Sequence, residues 1–133
     1  MNNSLFLKIG LLLVLFTSAC ANKNQSLYLD GTWELRHVIG IQVAGVSPDF
    51  KPGNGNLYKF RDDTYEKWSD GARVSSGTFK LAKEDLPINN NKANYSLLLD
   101  DQTKTYIKLS RSQLVIFNGQ VAADGTESTY EKQ

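Results

Sequence analysis

The chain has 133 residues, about one domain's length, with 15 Lys and Arg against 14 Asp and Glu for a formal charge of +1. That balance argues against a strongly basic nucleic-acid binder, and 41% hydrophobic with 22% charged residues argue against both a disordered chain and an all-membrane one. One Cys and one His exclude a disulfide framework, a multi-cysteine zinc site and any centre that needs two histidines.

Lys8 precedes an apolar run from Ile9 to Phe16, and the small residues Thr17, Ser18 and Ala19 lead to Cys20. A basic start, a short apolar core and a small-residue exit describe a secretory signal peptide. From Leu5 to Ala19 is 15 positions, short of the roughly 20 apolar residues a membrane span needs. With the only cysteine directly after the small residues, the segment resembles a bacterial lipoprotein signal, in which Cys20 is acylated and becomes the new N-terminus. The other reading is ordinary cleavage nearby, which leaves a free thiol. Residues 1–19 are then the signal, 20–27 a polar tether and 28–133 the folded domain. Loss of Lys8 leaves 14 charges of each sign, so the mature chain has little long-range attraction for polyanions. Its acyl chains would hold it to a membrane, expected to be the outer membrane of a cell envelope.

Beyond Cys20 the apolar pattern has period two, broken by turn residues every eight to twelve positions, which indicates an all-β sandwich or barrel. In the first strand Trp33, Leu35, His37, Ile39, Ile41 and Val43 share one face, with Gly40 as a bend or bulge. Residues 45–56, with Pro48, Pro52 and Gly53-Asn54-Gly55-Asn56, form a long loop. Leu57–Arg61 is the second strand, with Tyr58 and Phe60 inward, and Asp62-Asp63 turns into the third, Thr64–Ser69. Asp70-Gly71 is a hairpin signal, and residues 73–82 are the fourth strand. Residues 83–94, with Pro87 and Asn89-Asn90-Asn91, read as a loop. The remaining strands are 95–99, Thr103–Leu109, 113–117 and 127–132, joined by a turn at 100–102, a turn at 110–112 and a loop over 118–125. Short connections make sequence neighbours pair antiparallel, and eight such strands can close into an up-and-down barrel; the other arrangement is an open sandwich.

Gly31-Thr32-Trp33 opens the first strand as a Gly-x-Trp signature opens lipocalin barrels. With Pro52-Gly53-Asn54-Gly55, Tyr58-Lys59-Phe60, Gly77-Thr78-Phe79, Leu114-Val115-Ile116 and Tyr130-Glu131-Lys132 in order, nearly the whole mature chain resembles the small lipocalin-like lipoproteins of Bacteroidetes-type bacteria. The chain is short, lacks the usual C-terminal helix and has Lys132 where an Arg is expected. The resemblance implies an eight-stranded antiparallel up-and-down barrel in which a cation, here Lys132, packs over the Trp33 indole beside Gly31 and closes one end. It also implies that the long first loop, with Phe50, partly covers the other end.

Alternation and strand order place Ile39, Ile41, Tyr58, Trp68, Val74, Leu99, Thr105 and Phe117 around the mouth, with His37 deeper. Such a lining suits a small apolar or amphipathic ligand oriented by a hydroxyl or imidazole, and it equally suits a packed core. The first reading is a membrane-anchored binding protein. The alternative is an interaction or structural lipoprotein with a filled barrel. An enzyme is not expected: only His37 could serve a serine nucleophile as base, and no Gly-x-Ser-x-Gly elbow occurs. The acidic pairs Asp62-Asp63, Glu84-Asp85 and Asp100-Asp101 fall in expected turns or loops. The sequence calls for no cofactor, no metal and no nucleic-acid partner.

Overall fold

The structure is a computed structural model in which residues 28–133 are described. Cys20 and the tether, and with them the expected lipidation, lie outside the described residues. The strands are β1 (Gly31–Ile39), β2 (Leu57–Arg61), β3 (Thr64–Ser69), β4 (Ala72–Ile88), β5 (Asn91–Leu99), β6 (Thr103–Leu109), β7 (Gln113–Asn118) and β8 (Thr126–Lys132). A single 3₁₀ turn, Val121–Ala123, interrupts the last connection. All eight strands pair antiparallel with their sequence neighbours, and β8 pairs back onto β1, so the sheet is a closed barrel. Closure pairs the first strand with the last, so neither is left as the edge strand it would be in an open sheet.

The turns follow from their residues. Asp70-Gly71, Asn89-Asn90 and Asp100-Asp101 all have positive φ at both positions, the type I′ geometry whose twist matches that of the flanking strands. Asp and Asn reach that region because their short polar side chains bond locally.

The core is the inner face of the strands. Trp33, Leu35, Tyr58, Phe60, Tyr65, Phe79, Leu97, Ile107, Leu109, Leu114, Ile116 and Tyr130 are all buried there, with Leu29 set across the end where β1 begins. The aromatic rings interlock: Tyr58 stacks on Phe60 at 5.6 Å, Phe60 meets Phe79 edge-on at 5.2 Å, and Tyr58 meets Tyr130 edge-on at 5.5 Å. Such pairs add about 0.5–1.5 kcal/mol each beyond their burial.

Two irregularities change the expected facing. In β1 the register against β8 shifts between Leu35 and His37, leaving Arg36 as a bulged residue. A bulge reverses the alternation, so Val38 turns inward and packs on the core while His37 and Ile39 turn outward. β1 also ends at Ile39; Ile41 and Val43 lie in the loop beyond it, and Val43 is exposed.

The second irregularity is a long hairpin where the sequence suggests a loop at 83–94. β4 runs 17 residues to Ile88, and β5 starts at Asn91. β3 pairs with β4 only as far as Thr78, so the outer edge of β4 beyond that point has no strand partner. Pro87, which has no N–H to offer, sits on that stretch. A register shift between Lys83 and Leu86 bends the hairpin. Its tip leaves the wall and lies over the outer face of the sheet, where Ala93, Leu86 and Ile88 pack on Val115, Phe117 and Tyr106. Asn94 marks the departure. Its side chain donates to Leu109 O at 3.0 Å and accepts from Leu109 N at 2.8 Å, replacing the strand partner that β5 gives up.

Candidate functional site

Trp33 is fully buried at the closed end, and its indole N–H donates to Leu29 O at 2.7 Å. Lys132 Nζ lies 5.1 Å from the ring centroid and donates to Tyr28 O. Gly31 makes this approach workable. Its φ is +136°, and a Cβ there would come within 2.7 Å of Lys132 Cε. This end is a plug, built from the first and last strands together.

The opposite end holds what remains of a mouth. Of the expected lining, Tyr58, Leu99 and Thr105 do face the interior: Tyr58 belongs to the core, Leu99 packs against it, and Thr105 pairs with core residue Leu97. Burial raises the pKa of both Tyr58 and Tyr130, and the neighbouring Tyr58 charge raises Tyr130 further. Neither phenol has a hydrogen-bond partner among the described residues, whereas Tyr65 donates to Asp100 Oδ2 at 2.7 Å. Burial raises the Tyr65 pKa as well, and the Asp100 carboxylate adds to it.

The loop between β1 and β2 folds back along β1. Val38 N donates to Pro48 O and Phe50 N to Arg36 O, so the loop continues the ladder while Phe50 packs on the core. His37 pins it from outside, with Nδ1 2.7 Å from Asp49 Oδ1. The ring is half-buried and belongs to this loop clasp, not to a pocket.

Six expected lining residues lie elsewhere. His37 and Ile39 are turned out by the Arg36 bulge. Trp68 pairs with Leu57 on the outer face, where Lys59 Nζ lies 4.3 Å over its ring and its indole donates to Glu66 at 2.9 Å. Val74 is itself skipped in the β3–β4 register and is 57% exposed. Phe117 points outward but is buried beneath the β4–β5 tip. Ile41 is partly buried in the loop after β1.

A groove lies outside the barrel. It encloses about 860 Å³ between the β4–β5 tip (residues 87–91) and residues 120–122, where the 3₁₀ turn begins, and is floored by Ile39 and Glu127. Glu127 is only 8% exposed. Its Oε1 accepts from Asn91 Nδ2 at 3.2 Å, and Asn91 Oδ1 in turn accepts from Lys108. Asn89 locks the two walls together, accepting from Val121 N at 2.9 Å and donating to Gly119 O.

Glu34 is a second buried carboxylate, 6% exposed. It accepts from Arg36 at 2.6 Å, from Gly53 N at 2.5 Å and from the backbone and side chain of Asn54. This ties the Pro52-Gly53-Asn54-Gly55 loop to β1. Burial alone raises the Glu34 pKa; the hydrogen bonds and the Arg36 charge outweigh it and hold the carboxyl below the ordinary value. Alternation reads both Glu34 and Glu127 as solvated outer-face residues. What buries them is a returning loop in one case and an overlying hairpin in the other, and neither leaves a period-two signal.

Among the described residues no three His, Cys, Asp or Glu side chains converge to hold a metal. Comparison with protein-family models, with curated proteins and with solved structures finds no match for this chain.

Proposed function

We propose that the protein is a non-catalytic recognition module, held to the cell envelope by lipid on Cys20, whose barrel is a filled frame and whose contacts are made on its surface. The observation that carries this reading is the interior. Thirteen buried side chains, with three interlocked aromatic contacts, occupy the space in which a lipocalin-type ligand would sit. Eight-stranded barrels are just wide enough for side chains to fill. The test is a titration of fatty acids, sterols and isoprenoids followed by methyl NMR of Leu35, Leu97 and Ile107. These methyls should not move. A saturable shift in any of them would return the ligand to the barrel interior. Anchoring is tested separately: Cys20→Ala should release the protein from membrane fractions, and retention of that variant would remove the lipid from the proposal.

One observation favours a second reading, a small amphipathic molecule that enters the interior from the mouth. The buried Tyr58 and Tyr130 phenols, level with Trp33 and Leu35 in the strand register, have no protein partner and would pair with a polar head that reached them. Saturable binding that shifts those two rings while leaving Leu97 and Ile107 unmoved would support it.

A further inference from the structure

The floor of the outer groove holds an uncompensated charge. Glu127 is 92% buried by accessible surface, yet no Lys, Arg or His among the described residues lies within salt-bridge distance of it. Its single bond is to the neutral Asn91 amide, and Lys108 reaches that amide rather than the carboxylate. A buried charge is stable when it is paired, and Oε2 has no partner. That oxygen is not sealed in, because the residue lines the open groove.

The surroundings narrow the partner. A hard divalent cation takes about six or more oxygen ligands, and one carboxylate with neighbouring amides does not supply them. An anion would meet Glu127 unfavourably. The amides of Asn89 and Asn91 are already engaged by the protein, so of the four side-chain amides in the lining only Asn90 and Gln120 are open to a polyhydroxylated ligand, and neither carries the charge that Glu127 supplies. The walls are apolar where they flank the floor, at Ile39, Ile88 and Val121. A volume of about 860 Å³ lies within the range typical of small-molecule sites, roughly 300–1,000 Å³.

We propose that this groove binds a small organic cation, an alkylammonium or alkylguanidinium ion. Its charged head meets Glu127 Oε2, and its stem lies against Ile39, Ile88 and Val121. The proposal rests on the reading that recognition takes place on the outer surface of a filled barrel. It names the chemistry of one such contact.

The experiment uses the full chain in a non-ionic detergent. n-Butylguanidinium and n-butylammonium chlorides are titrated against the side-chain amide signals of Asn91 and Gln120, with n-butanol as the neutral control and a short arginine-bearing peptide as a separate arm. Saturable shifts are expected with both cations, and affinity for butanol should be at least about tenfold weaker. Glu127→Gln keeps an acceptor for Asn91 and should lose about tenfold or more in cation affinity with an unchanged backbone spectrum. Val121→Arg, which places a cation in the groove from its wall, should block binding without touching the floor. Equal binding by Glu127→Gln, equal binding of butanol, no saturable shift, or binding by the peptide alone would each overturn the proposal. The interior methyls report on the parent reading independently: they move if the barrel interior is the site, whatever the groove does.

Discussion

Trp33 is held between the Leu29 carbonyl, which accepts its indole proton, and the Lys132 ammonium over its ring. Its inward facing and its proximity to Lys132 follow from alternation and from the even number of strands. The capping by Leu29 does not, because residues 28–30 carry no strand pattern. Trp33→Ala should cost about 3–5 kcal/mol, as large core truncations do, measured by urea denaturation. Lys132→Ala should cost about 0.5–2 kcal/mol, the range of a cation over an indole. A double-mutant cycle should give a coupling of that order, and zero coupling would show that the lysine stem only fills space. Glu34 is the opposite case, a residue whose alternation points to solvent and whose loop partners bury it. Its folded pKa lies below the ordinary glutamate value, so its carboxylate contributes stability that is fully present above that ordinary value. The contribution is lost as pH falls through the lowered folded value. Glu34→Gln should therefore lose about 1.5–3 kcal/mol near neutral pH and flatten the acid limb of the stability curve. Denaturant midpoints from neutrality down to about pH 2 read both effects, and parallel acid limbs in the two proteins would exclude Glu34 as their source.

Among the elements, legibility follows regularity. The strands with unbroken alternation, β2, β3, β6 and β7, lie where the sequence places them, apart from one residue at the end of β7. The misplaced facings have two sources. A single extra residue at Arg36 turns out His37 and Ile39. Trp68 and Phe117 lie in regular strands whose inward sets are fixed by Tyr65 and by Leu114 and Ile116, which leaves both on the outer face. Residues 83–94 read as a loop because Pro87 and three asparagines mark turns. The pattern cannot show that the proline lies on an unpaired edge or that two of the asparagines make a type I′ turn. The hairpin this creates supplies a wall of the groove, so the strand extension and the candidate site were missed together. Asn94 should control it. Asn94→Ala removes both bonds to Leu109 and should cost about 1–3 kcal/mol. Hydrogen exchange should quicken at Leu109 and along 83–94 while Leu35 and Ile116 stay protected, since the hairpin tip is a local layer over a closed wall. Uniform loss of protection across the barrel would show instead that the hairpin is part of one cooperative unit. A related close fit lies at Gly77. A Cβ there would overlap the Asp100 carboxylate that accepts from Thr78 N and Tyr65, which explains the glycine in the Gly-Thr-Phe motif without any ligand.

At the scale of the whole molecule, the first and last described residues meet at the closed end. Lys132 bonds Tyr28 O, and Gln133 N donates to Thr32 O at 2.9 Å. The mouth loops and the groove walls at 120–122 belong to the opposite end. β1 has nine residues, which at about 3.3 Å per residue and a tilt of about 40° separates the two ends by roughly 20–25 Å. On the proposal that Cys20 carries the lipid, eight residues, 20–27, separate the membrane anchor from the closed end. For a random coil of eight residues the root-mean-square reach is roughly 15 Å, less than the barrel's height. Residues 20–133 carry 14 charges of each sign, so no net charge tips the barrel toward anionic lipid. The barrel should therefore stand with Trp33 and Lys132 toward the bilayer and the mouth loops away from it. Fluorophores on single cysteines test this in vesicles containing a nitroxide-labelled lipid. The label at Ser112→Cys, in the β6–β7 turn beside the closed end, should be quenched. The label at Val43→Cys, 63% exposed in the loop after β1, should not. Equal quenching at both positions would mean that the barrel lies on its side. Stronger quenching at position 43 would mean that the mouth faces lipid, and the surface available to a partner would then be the closed end.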